Sequence, residues 1–117
     1  MRLSECISIW TALTEVSDKN LGTVNNYNAS LNIQELSKVV EPFNEVKSKM
    51  QSQLFDGLSE GEKPDPVLLD KSNEELLALS LEEVDVQLKN LRLSGIPDDA
   101  NLTPKFFVAV KLIVSDE

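Results

Sequence analysis

Six carboxylates crowd one stretch of this chain: Asp70, Glu74, Glu75, Glu82, Glu83 and Asp85. Paired carboxylates can hydrolyse glycosides or hold Mg²⁺ or Ca²⁺. These lack the spacing of an EF-hand loop, and the pattern scatters them over a loop, a helix cap and a strand edge. Glu74 and Glu75 have a local role, since acids suit the first turn of a helix. The cluster reads as a solvated charge run, with no metal and no catalytic role expected.

The other reactive residue types are scarce. The chain has no histidine, which removes the commonest general base and metal ligand and any Ser-His-Asp or Cys-His site. Cys6 is alone, so no internal disulfide can form. It falls on an amphipathic pattern without a basic neighbour to activate it, so a packing role is expected. Gly22, Gly57, Gly61 and Gly95 are isolated, so neither a phosphate loop nor a dinucleotide fingerprint exists. The expectation is a protein that is not an enzyme and takes no cofactor.

Charge narrows the partners. The formal charge is −9, and it is concentrated: residues 56–85 hold ten acids and two bases, while the flanking segments are near neutral. Binding to phosphate backbones wants a basic face, as does an anionic membrane, so neither nucleic acid nor membrane is expected as a partner. Neither a secretory pattern nor a spanning apolar run is present. A protein that is not secreted and not transmembrane is expected.

These residues must be positioned by helices. A length of 117 residues suits one domain. Residues 3–17 read as a first helix, with Leu3, Ile7, Trp10, Leu13 and Val16 on one face, ended near Gly22. A long stripe follows: Ala29, Ile33, Leu36, Val40, Phe43, Lys47, Met50, Leu54. Its steps of three and four residues define one helix face. The helix should run from near Val24 to about Phe55, on the order of 45 Å. Heptad positions beside the stripe are uncharged, and Val39 and Val46 widen it. That favours packing within a domain over a two-stranded coiled coil. Pro42 removes a backbone hydrogen bond on the outer side, and a bent but continuous helix is expected. Lys47 within the stripe should snorkel. Phe43, at mid-stripe, is expected in the core.

Residues 56–66 read as an acidic loop. Val67-Leu68-Leu69 could form a very short strand. Ser72-Asn73-Glu74-Glu75 fits a capping box opening a short helix, with Leu76, Leu77 and Leu79 inward. Val84, Val86 and Leu88 alternate as in a strand, and Leu91 and Leu93 continue one residue out of phase, which a β-bulge at Lys89–Asn90 would repair. Gly95 to Asp99 reads as a turn. Thr103-Pro104 fits an N-cap and first helical residue. For Phe106 to Val114, β-branching suits a strand and the Thr-Pro start suits a helix; helix is preferred.

The order of elements resembles small proteins of unknown function from tailed bacteriophages. The likeness spans about residues 24–114. It is carried by Tyr27-Asn28-Ala29-Ser30-Leu31-Asn32-Ile33 leading into Leu36, Glu41, Phe43 and Lys47, then by Asn73-Glu74-Glu75-Leu76-Leu77, Glu82 to Val86, and Leu102-Thr103. Pro42 departs from the pattern. The resemblance implies a viral, non-enzymatic role in the host cytoplasm or the virion, and supplies no site residue.

The fold expected is a mainly helical α+β domain spanning 1–117. A long bent central helix packs against N- and C-terminal helices, with a small β element near residues 84–93. The function expected is a phage interaction protein, either a structural component of the particle or an assembly factor. It would self-associate or bind a larger phage protein through a helix face, with Leu31, Val39, Val46, Lys47 and Phe55 as candidate contact residues. The alternative is an acidic inhibitor of a host nucleic-acid-binding protein, using segment 56–85 as a mimic of phosphate charge.

Overall fold

The computed structural model describes residues 1–115. Four α-helices dominate: α1 (Leu3–Glu15), α2 (Thr23–Phe55), α3 (Pro66–Ser80) and α4 (Pro104–Ala109). Two short strands, β1 (Leu91–Arg92) and β2 (Val114–Ser115), pair in parallel. The fold is therefore the mainly helical one expected, with its long helix unbroken through Pro42. The helix tolerates the proline because residue 42 is exposed, so water can take the carbonyl that loses its partner.

The core lies at one end. Cys6, Ile9 and Leu13 of α1 meet Leu36 and Val40 of α2, with Leu91, Phe106, Val110 and Ile113 closing the cluster. Each fully buried aliphatic side chain here contributes about 1.5–3 kcal/mol. The buried line on α1 is Leu3, Cys6, Ile9, Ala12 and Leu13; Ile7, Trp10 and Val16 of the expected face flank it, half-buried. Trp10 stays at the edge because its indole N–H needs a partner, and it donates to Ser37 Oγ at 3.2 Å.

Beyond Val40 the core stops, and no residue from 41 to 90 is fully buried. The distal part of α2 and most of α3 form a helical hairpin that projects from the body, with the end of α3 returning to the start of α1. The overall shape shows it: the extents are 52 × 30 × 21 Å and the radius of gyration is 17.5 Å, against about 13 Å for a compact chain of this length. Phe43 falls just past the core boundary and is only half-buried, which corrects its expected core position. The stripe keeps its phase there, but no helix of the body reaches that far to cover it.

Three further expectations are corrected. Residues 67–69 are helical, because α3 starts at Pro66 with Asp65 as N-cap, its carboxylate accepting from the Val67 N–H at 2.9 Å. Asp-Pro supplies both the cap and the preset φ of a first helical residue, so Ser72 lies inside the helix and caps nothing. Residues 84–90 are extended but pair with no strand among the described residues. The residues after Thr103 divide between the two readings. Thr103 Oγ1 accepts from the Phe106 N–H at 3.2 Å and opens α4, yet the helix ends at Ala109 and strand β2 follows.

Candidate functional site

The extended segment 84–92 shows what the long helix positions. Asn25, Asn28 and Asn32 recur at steps of three and four on one face of α2, and each faces the backbone of this segment. Asn32 Nδ2 donates to the Lys89 carbonyl at 2.9 Å, and its Oδ1 accepts from the Lys89 N–H at 2.7 Å. Asn25 does the same at Arg92, donating at 2.8 Å and accepting at 2.9 Å. Asn28 donates to the Asn90 carbonyl at 3.3 Å. On the other edge, the Leu91 N–H donates to Ile113. The asparagine column thus stands in for a neighbouring strand. Asn25 and Asn32 are buried, and paired amides are what make a buried amide tolerable. The column is structural.

The carboxylates do not gather. Among the described residues no group of three or more His, Cys, Asp or Glu is placed to hold a metal ion. Glu83 accepts from the N-terminal amine at 3.0 Å, which raises that amine above its ordinary pKa. Cys6 is completely buried, and loss of solvent pushes its thiol upward, away from the nucleophilic thiolate. No helix among the described residues is long and apolar enough to cross a membrane.

Two surface features remain. The first is the outer side of the hairpin. All residues of α3 are exposed or half-buried, yet it carries Val67 at 74% and Leu77 at 62% exposure, and Phe55 on α2 is 53% exposed. The inner side of the hairpin closes loosely, leaving a cleft of ≈ 370 Å³ between Met50, Leu54, Leu68 and Ser72. The second is a mainly apolar groove of ≈ 420 Å³ between α1 and the segment 101–109, lined by Ile7, Ala12, Leu102 and Phe106 together with the charged Glu15, Lys19 and Lys105.

The sequence-derived contact residues are placed unequally. Val46, Lys47 and Phe55 are exposed on the hairpin. Leu31 is half-buried, and Val39 is half-buried against the core of its own chain. The groove and the exposed face of α3 were not identified from the sequence; the alternation of Val67, Leu77 and Leu81 with acids on α3 was the available signal. Comparison of the chain with known protein families, characterised proteins and solved structures gives no match.

Proposed function

We propose that this protein is a non-enzymatic interaction protein whose working part is the projecting hairpin, and that it associates with copies of itself or with a larger protein partner. One observation carries the reading: a 15-residue helix with no buried residue exposes Val67, Leu68, Leu69, Leu77 and, at its C-cap, Leu81. Exposed apolar side chains gathered on one helix of a small protein mark a contact site. Half of the long helix serves only to carry it outward. The resemblance over residues 24–114 supports a setting in a phage particle or its assembly, hence in the host cytoplasm or virion.

Light scattering across a concentration series tests the reading. The mass should rise with concentration, and Val67→Glu with Leu77→Glu should lower it toward the monomer without changing the melting temperature of the body. A monomer mass at every concentration would remove self-association.

A further inference from the structure

We propose that the groove between α1 and α4 on one copy receives the outer stripe of α3 from a second copy, in a head-to-tail contact. This rests on the self-association proposed above and names its two surfaces. The stripe is Val67, Asp70, Glu74, Leu77 and Leu81. These residues follow one another at steps of three and four, so they share one face, and all five are exposed. The face is apolar at both ends and acidic in the middle.

The groove is the complementary object. Its lining is mainly apolar and carries two lysines, Lys19 and Lys105, against one carboxylate, Glu15, and the adjoining hollow adds Lys111 and Glu5. Lys19 is held there by the carbonyls of Ala100 and Asn101, each at 3.3 Å. Neither Lys105 nor Lys111 makes an ion pair among the described residues. In a chain where residues 56–85 alone carry ten acids against two bases, a mainly apolar groove in which lysines outnumber glutamates matches the acidic apolar stripe in apolar character and in sign of charge. Seating leucine and valine side chains in the groove would release water from its apolar lining.

A chain cannot satisfy its own groove. The end of α3 is tied to the start of α1, where the Leu3 N–H donates to Glu82 at 2.9 Å and the Val84 N–H to Met1 at 2.8 Å. The groove extends to the opposite end of α1. Two different surfaces in contact make the interaction heterologous, so it generates a ring or an open chain of copies, not a closed symmetric pair.

The test is sedimentation velocity on the full chain and two variants. Lys105→Glu blocks the groove and Leu77→Glu blocks the stripe; Thr11→Glu, at an exposed position lining the groove, replaces the first if it folds poorly by circular dichroism. Wild-type chain should form species larger than dimers as concentration rises. Each variant alone should associate about tenfold more weakly or worse. An equimolar mixture should recover a 1:1 complex and stop there, because each complex has one blocked groove and one blocked stripe left. If the groove variants associate like wild type, the head-to-tail contact is wrong while the hairpin reading stands. If wild-type chain stays monomeric at every concentration, the head-to-tail contact and self-association fall together.

Discussion

The carboxamide of Asn32 pairs with the backbone of Lys89 as one peptide group pairs with another across a sheet, donating at 2.9 Å and accepting at 2.7 Å. The relation explains why residues 84–92 stay extended with so little sheet around them. A helix cannot offer backbone groups sideways, because its own ladder uses them. Asparagine can, since its side chain carries one donor pair and one acceptor. Asn25 repeats the device at Arg92.

Asn32→Ala should therefore lower stability by about 1–3 kcal/mol, the range for leaving a buried partner unpaired. Asn32→Asp should also destabilise, since a carboxylate still accepts from Lys89 but cannot donate to its carbonyl. Asn28→Ala removes a single 3.3 Å bond at the surface and should change little. Chemical denaturation measures all three, and faster amide exchange at Lys89 in the Asn32 variants would locate the effect. Equal stability of Asn32→Ala and Asn28→Ala would show that the pairing is idle.

The helices were legible because periodicity reports burial. The stripe from Ala29 to Leu54 set the phase of α2, and the Thr103-Pro104 pair marked the start of α4. The alternation does slip at Lys89–Asn90, both exposed between half-buried Leu88 and buried Leu91, but the expected β-bulge is not there among the described residues and Leu93 is exposed in a single 3-10 turn. The cause of the slip was not legible, because a slip in alternation does not say whether the partner is a strand or an asparagine column. The end of the core was hidden for a similar reason. Val40 and Phe43 sit on the same stripe, and only the reach of α1 and α4 divides the buried one from the half-buried one. On α3, the Asp65-Pro66 start outweighed the capping box at Ser72. The groove arises between α1 and residues 101–109, a juxtaposition no local pattern records.

That boundary gives a direct comparison. Leu36 is completely buried, and Leu36→Ala should lose about 2–5 kcal/mol. Phe43→Ala should lose less despite the larger deletion, because part of the ring is already in water. Urea melts of the two variants decide it. A larger loss at Phe43 would mean that the hairpin is part of the cooperative core.

Gly22 should be the least replaceable glycine. Its φ is 98°, a conformation that side chains resist, and an added Cβ would overlap the Gly95 carbonyl oxygen. Gly57 has φ 76° with open space around it. Gly57→Ala should lose ~1–2 kcal/mol from backbone strain alone. Gly22→Ala should lose more, since the turn containing Gly95 must also move. Matching melting temperatures for the two variants would show that the Gly22–Gly95 approach is not rigid.

Cys6 offers a reporter on the whole core. The side chain is completely buried and burial raises its pKa, so the folded state disfavours the thiolate. Labelling by iodoacetamide should be slow in the native protein and fast in denaturant, with a native rate set by opening of the core. The linkage has a definite sign. The unfolded thiol ionises near its ordinary value of about 8.5, while the folded thiol ionises higher. The stability this provides is therefore intact below that value. It declines as pH rises above it, because ionisation then favours the unfolded chain. Cys6→Ala should remove this alkaline component and flatten the stability profile above the ordinary thiol pKa of about 8.5. Native labelling as fast as that of the unfolded chain would place Cys6 at the surface and overturn the packing of α1 on α2.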